Sequence, residues 1–228
     1  MKVNEIFRSV NGETYYSGYP TIFVRLTGCN LCCSFCDTTY ARTEGKEMKP
    51  EEVFKKIEKL YKEGDMICFT GGEPLLQKEE MEEVISLLEE EGKVDMLEIL
   101  VETNGSIDIG DRGKRRYMVA MDIKCPSSGM HHDMKFSNIK KLSYYDELKF
   151  VIGDREDYDY MIKIIKKFKN EINKILVPIS IQPVSGRLEL GKLWKWFLRT
   201  NWKKITKTDV RLTTQLQKIA FPDKERGV

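Results

Sequence analysis

Cys29-Asn-Leu-Cys32-Cys33-Ser-Phe-Cys36-Asp-Thr38 places four of the six cysteines within eight residues. Cys29, Cys33 and Cys36 have the spacing C-x3-C-x2-C. Three thiolates on one short loop suit three irons of a [4Fe–4S] cluster, whose usual ligands are thiolates. Cys68 and Cys125 lie far off in sequence, so the fourth iron would be open to a small molecule. The same residues also parse as two C-x2-C knuckles for zinc. Zinc knuckles usually stand about a dozen or more residues apart, so that two pairs can surround one ion; here they abut. A disulfide framework lacks a secretory signal and the further cysteines it needs. Cys32 is left as a spare thiol suited to packing.

Outward from this loop, Ile22-Phe-Val-Arg-Leu26 alternates as a strand that leads into the cysteines. Beyond it, apolar strands and polar helices alternate. Strands are expected at 3–8, 21–27, 66–69, 97–101, 117–121, 147–152 and 175–181, with a short one at 209–212. Helices are expected at 50–63, behind Pro50, and at 78–91, 156–170 and 189–199. Residues 106–116 are Gly-rich and charged and show no helical pattern, and 137–142 carries at most a short helix. Such alternation implies a parallel sheet built from right-handed βαβ units. The unusual clusters Gly28–Thr38, Thr70–Pro74, Glu102–Gly105, Asp122–Gly129 and Gln182–Ser185 all fall at carboxyl ends of strands. That edge is where α/β folds bind ligands. About six units are too few for a closed eight-stranded barrel. The fold expected is α/β, a partial and open TIM-like barrel. No linker or repeat divides the chain, so 1–228 is read as one domain, with a tail from about 206 to 228 closing the site.

Composition narrows the function. The chain has 228 residues, 41% hydrophobic and 32% charged, with a net charge of +2. It is long enough for a sizeable core. The charge balance argues against a nucleic-acid surface. No apolar run approaches the roughly 20 residues of a membrane span, and the opening Met1–Glu13 lacks a signal peptide's apolar centre. A cytoplasmic enzyme is expected, with no direct contact to nucleic acid or membrane.

Several residues admit two readings. Gly71 and Gly72 let a backbone approach a ligand closely, and Glu73 offers a carboxylate to an ammonium; the segment also reads as a turn before Pro74. Thr103-Asn104-Gly105 reads as a ligand-facing strand end or as an Asn-Gly turn. The polar groups of Asp122–Lys124 and Gln182–Ser185 read as ligand contacts or as caps. Arg25, in an apolar strand, suits a substrate carboxylate or a structural ion pair. His131 and His132 sit in a polar loop and read as surface residues.

The cysteine spacing together with Gly71-Gly72-Glu73 resembles the radical S-adenosylmethionine (SAM) superfamily. Ser9-Val-Asn-Gly-Glu13, Cys36-Asp37-Thr38, Lys124-Cys-Pro-Ser-Ser-Gly-Met130, Gln182-Pro-Val-Ser185 and the ending Lys224-Glu-Arg-Gly-Val228 together resemble the 7-carboxy-7-deazaguanine synthase family. The resemblance implies conversion of 6-carboxy-5,6,7,8-tetrahydropterin to 7-carboxy-7-deazaguanine with release of ammonia, toward queuosine or archaeosine. It implies that Cys29, Cys33 and Cys36 hold the cluster and that Thr38 binds Mg²⁺. SAM would meet Phe35, Cys36, Asp37, Gly72, Asp122, Ile123, Lys124, Gln182, Pro183, Val184 and Ser185. Substrate would meet Val10, Asn11, Gly12, Arg25, Thr70 and the terminal carboxylate of Val228. The family often has Gln at the position of Asn11 and Ser-Pro-Lys at Asp122-Ile-Lys124. An external electron donor of flavodoxin or ferredoxin type and a homodimer are further implications. Two other readings stand beside this one: a glycyl-radical activating enzyme acting on a protein partner, and a non-enzymatic zinc-binding module.

Overall fold

A computed structural model describes residues 1–92, 94, 98–224 and 226–228. Nine strands form one sheet: β1 (Lys2–Val10), β2 (Pro20–Leu26), β3 (Lys46–Glu47), β4 (Met66–Gly71), β5 (Ile99–Thr103), β6 (Met118–Asp122), β7 (Glu147–Ile152), β8 (Ile179–Pro183) and β9 (Val210–Leu212). Their order is β3-β1-β2-β4-β5-β6-β7-β8-β9. β1 runs antiparallel to its neighbours β2 and β3. From β2 to β9 every pairing is parallel. The two ends of the sheet, β3 and β9, do not pair with each other. The fold is thus the expected partial barrel, left open on one side.

The helices α1 (Pro50–Leu60), α2 (Lys78–Glu90), α3 (Arg155–Lys167), α4 (Lys169–Ile175) and α5 (Leu190–Arg199) form where one apolar stripe repeats at helical spacing. Pro50 opens α1, and the Glu52 carboxylate accepts from the Lys49 N–H at 2.8 Å. α1 buries Val53 and Ile57; α2 buries Met81, Val84, Ile85 and Leu88. Asp154 caps α3 by accepting from the Asp157 N–H at 3.0 Å. These stripes pack on the outer side chains of the strands, among them Ile67, Phe69, Val101, Val119, Phe150 and Ile181.

The other face of each strand points into the barrel, because successive side chains alternate. At the bottom this face is apolar: Phe23, Met66, Cys68, Leu100, Met118 and Ala120 pack together, with Phe7 and Tyr16 against them. Two residues further along each strand the same face carries Arg25, Thr70, Glu102 and Asp122. An apolar floor therefore supports a polar chamber.

Two expectations shift. The run Ile175–Ile181 is not one strand. Ile175 ends α4, Leu176 turns left-handed at φ 59°, and its N–H donates to the Ile172 carbonyl at 2.8 Å. Phe168, Ile172 and Ile175 are spaced i, i+4, i+7 and pack on the core, so the helical period wins up to Ile175. The strand expected at 97–101 is found as β5, and its first residue, Leu97, lies outside the described residues. Residues 106–116 form no helix and are pinned instead. Asn138 Nδ2 donates to the Gly105 and Ile107 carbonyls at 3.2 and 2.7 Å. Arg115 forks onto Asp146 at 3.0 and 2.6 Å, with both side chains buried. Among the described residues, no helix is long and apolar enough to cross a membrane.

Asp146 also accepts from the Val119 and Ser143 N–H groups at 2.7 and 2.6 Å. Replacing Asp146 by alanine strands Arg115 as an unpaired buried cation. The expected loss is about 3–5 kcal/mol, read as a lower urea midpoint in the full chain.

Candidate active site

The cysteine loop leaves β2 through Gly28, whose φ of 102° favours glycine. Gly28 N–H donates to the Ala41 carbonyl at 2.8 Å. Further on, the Ser34 N–H and hydroxyl donate to the Ser128 and Ser127 carbonyls at 3.0 and 2.7 Å. The loop is thereby fixed at both ends over the polar chamber. Cys29, Cys33 and Cys36 are half-buried and line a cavity of about 270 Å³ at the carboxyl ends of the strands. Cys32 is exposed, does not line the cavity, and receives an N–H from Arg42 at 3.2 Å. Alternation along the loop thus separates three thiols from the fourth. Among the described residues, no three His, Cys, Asp or Glu side chains converge as ligands of one ion would. Cluster thiolates need not converge, because each binds its own iron. Burial pushes the Cys33 thiol up, and nearby Lys124 opposes that shift.

The Gly-Gly turn sits against this loop. A Cβ on Gly71 would lie 2.3 Å from the Leu26 carbonyl oxygen, and one on Gly72 would lie 1.9 Å from that of Gly28. Gly72 and Glu73 N–H groups donate to those same carbonyls at 3.0 and 2.8 Å. Glu73 itself corrects the ammonium-binding reading. It is fully buried and does not line the cavity. Its carboxylate accepts from the Leu75 N–H at 3.0 Å, the Thr103 hydroxyl at 2.8 Å and the Asn104 N–H at 2.7 Å. Burial raises its pKa, and those hydrogen bonds resist the rise. The carboxylate is a brace between β4 and β5, and backbone faces the cavity in its place.

Alternation also sorts the other expected positions. Asp122 and Lys124 face the cavity and pair at 2.7 Å. Ile123 between them points into the hydrophobic core, so its side chain is not available to a ligand. Gln182, Val184 and Ser185 line the cavity, whereas buried Pro183 does not. Both placements follow the two-residue period of extended backbone. Phe35, Cys36, Asp37, Thr38 and Gly72 line the cavity, as do Val10, Asn11, Gly12, Arg25, Thr70 and Val228. Arg25 makes the structural ion pair, its Nε donating to Glu5 at 2.7 Å, and it also lines the cavity.

The central residue is Glu13, which the sequence marks only as the end of the motif Ser9–Glu13 and gives no role of its own. Glu13 accepts from Lys149 Nζ, from Gln182 Nε2 at 2.7 Å, and from Gln215 and Gln217 Nε2, each at 2.8 Å. Burial opposes its charge, but Lys149 and the amides outweigh burial and hold the carboxyl at about 2. Lys149 is correspondingly held well above its ordinary value: burial opposes its charge, and Glu13 and Glu102 more than offset that. Glu102 accepts from the Thr70 hydroxyl at 2.7 Å, and burial raises its pKa against Lys149. A charged residue inside an apolar strand, as in Glu147-Leu-Lys149, was the available signal.

Comparison with known proteins places this site. Residues 23–185 match the radical SAM superfamily. A 7-carboxy-7-deazaguanine synthase of Methanospirillum hungatei is 42% identical over 78% of this chain and 73% of its own. One of Koribacter versatilis is 33% identical over the whole of both chains. The chain belongs to the 7-carboxy-7-deazaguanine synthase family of radical SAM enzymes. The crystal structure of QueE from Escherichia coli has the same fold, with a TM-score of 0.68, 20% identity and 93% coverage of both chains.

The superfamily's cofactors are a [4Fe–4S] cluster and SAM, and the residues present fit both. Three thiols share one cavity edge. Buried side-chain atoms at the cavity lack any partner among the described residues: Asn11 Nδ2, Arg42 Nε, Asp122 Oδ1, Gln182 Oε1 and Gln217 Oε1. Buried polar atoms are nearly always satisfied, so a polar ligand belongs there.

Two outcomes follow. Gly72→Ala drives a Cβ into the Gly28 carbonyl and displaces the cysteine loop; iron retained per chain after anaerobic reconstitution falls while far-UV dichroism is kept. Glu13 is depressed from 4.5 to about 2, so its stabilisation is full above the ordinary value and is lost as pH falls toward about 2. The stability gap between wild type and Glu13→Gln, from urea midpoints, narrows across that window.

Proposed function

We propose that this enzyme converts 6-carboxy-5,6,7,8-tetrahydropterin to 7-carboxy-7-deazaguanine with loss of ammonia, in 7-deazapurine biosynthesis toward queuosine or archaeosine. One observation carries the reading. The cysteine loop, the polar strand ends and the C-terminal residue Val228 all border one cavity. That fits a small substrate held beside a cluster better than a protein backbone entering a groove, so the glycyl-radical activating reading is not favoured. The zinc module is not favoured either, because Cys32 turns away from the other three thiols.

In this reading Cys29, Cys33 and Cys36 hold the cluster. Phe35, Asp37, Gly72, Asp122, Lys124, Gln182, Val184 and Ser185 surround SAM. When bound, these cofactors supply the radical chemistry that removes a substrate hydrogen. The chain's own task is orientation and exclusion of water. Asn11 Nδ2, an orphan donor, and Gln217 Oε1, an orphan acceptor, match the mixed donor and acceptor edge of a pterin. Arg25 offers a cation to the substrate carboxylate. Thr70 offers a further hydrogen bond, Val228 borders the same cavity, and Val10 and Gly12 bound the ring. Thr38, which lines the cavity, would hold Mg²⁺, a hard cation that usually keeps few protein ligands. The segment from about 206 to 228 closes the site as part of a single domain. A low-potential donor of flavodoxin or ferredoxin type, a homodimer and a cytoplasmic setting complete the proposal. The six free cysteines are consistent with a reducing compartment.

The test is an anaerobic assay with reconstituted protein, reductant, SAM, Mg²⁺ and the tetrahydropterin, read by mass spectrometry. The deazaguanine is expected from wild type and not from Cys33→Ala. Formation of 5′-deoxyadenosine without it would reject the substrate. Thr38→Ala is expected to raise the Mg²⁺ needed for half-maximal rate at least about tenfold; an unchanged Mg²⁺ dependence would reject Thr38 as the ligand.

A further inference from the structure

Arg42 closes the 3₁₀ turn Thr39–Arg42 that follows the cysteine loop. Eight other arginines pair with a carboxylate: Arg8, Arg25, Arg115, Arg116, Arg155, Arg187, Arg211 and Arg226. Arg42 does not, among the described residues. Its Nη1 donates to Cys32 Sγ and its Nη2 to the Cys33 carbonyl, both at 3.2 Å. Its Nε is buried without a partner, and the side chain lines the cavity. Lys124, the other cation beside the thiols, is neutralised by Asp122 at 2.7 Å.

Reduction of a [4Fe–4S] cluster by one electron adds a negative charge that its sulfurs share. Net charge and hydrogen bonds to those sulfurs set the potential. A guanidinium stays protonated throughout, and no carboxylate cancels this one. Resting on the reading of Cys29, Cys33 and Cys36 as cluster ligands, we propose that Arg42 tunes the cluster, raising its reduction potential through an uncompensated positive charge and N–H groups directed at the cysteine loop. Cys32 and the Cys33 carbonyl hold the fork in place. Cys32 thereby has a use that requires no bond to iron.

The test compares wild type, Arg42→Gln and Arg42→Lys as full chains reconstituted anaerobically. Iron and sulfide are counted, and the cluster is titrated with dithionite while its paramagnetic reduced form is followed. Arg42→Gln should keep its iron and be harder to reduce by about tenfold or more, which is ~59 mV for a one-electron couple. Arg42→Lys should lie between, because it keeps the charge and loses the fork. A fully loaded Arg42→Gln with the wild-type potential would overturn the inference. If Arg42→Gln cannot hold iron, Arg42→Lys decides: a lowered potential supports the role, and an unchanged one rejects it. A wild type that assembles no cluster would reject the cluster reading itself, and this inference with it.

Discussion

Glu13 ties together parts of the chain that the sheet leaves apart. β9 and β3 are unpaired edges, so backbone hydrogen bonds do not close the barrel. Glu13 sits in the β1–β2 loop and gathers Lys149 from β7, Gln182 from β8, and Gln215 and Gln217 from the tail. A buried carboxylate without partners costs several kcal/mol, so this one specifies where each of those residues must stand. The backbone follows it: the Leu216 N–H donates to the Gly12 carbonyl at 2.9 Å. Arg211 on β9 lies 3.9 Å above the Tyr15 ring and donates to its hydroxyl at 3.0 Å. A loop and a tail, locked by one charge, do the work of the strands that the open barrel lacks.

The interior has a direction for the same reason. Below Glu13 the inner face is Phe23, Cys68, Leu100 and Met118; beside and above it the face carries Arg25, Glu102, Asp122 and Lys149. Charges in this chamber lie in low dielectric and act strongly on one another. They are arranged as neighbours of opposite sign, Lys149 with Glu13 and Lys124 with Asp122. That pairing fixes dipoles before any ligand arrives, which is the condition for electrostatic preorganisation. Glu73 works outside the chamber. Its bonds to Thr103 and Asn104 hold β4 to β5, and the adjacent Gly72 backbone is thereby pressed against the cysteine loop.

Sequence reading reached what local pattern encodes. The cysteine spacing, the strand and helix alternation and the polar strand ends are all short-range signals, and most of the residues they mark border one cavity, whereas Cys32, Glu73, Ile123 and Pro183 do not. Ile123 and Pro183 lie within continuous motifs but fall off the cavity, because extended backbone presents only every second side chain to one face. Glu73 was misread because its direction is decided by Thr103, thirty residues on. Glu13 was passed over because its partner Lys149 is 136 residues away, and no local pattern announces such a pair. Ile175 and Leu176 looked like strand because an apolar run carries no period; the period emerges only when Phe168 and Ile172 are counted with them.

The tail shows what side-chain closure permits that strand closure would not. One more strand pairing carried across the gap would seal the chamber with a continuous backbone ladder. Here the last segment crosses as a short helix, Leu216–Ala220, held by discrete contacts. Gln215 Nε2 donates to Glu13 at 2.8 Å and to Asp37 at 3.1 Å. Arg226 lies 4.1 Å over the Tyr40 ring and pairs with Glu44 at 2.7 Å. Asp37 and Tyr40 both belong to the stretch just after Cys36. The tail is therefore latched to the cysteine loop by exposed contacts of modest strength and to the Glu13 knot by part-buried ones. The outer contacts fix where the tail lies, while the buried Glu13 and Lys149 pair keeps the chamber's charges in place.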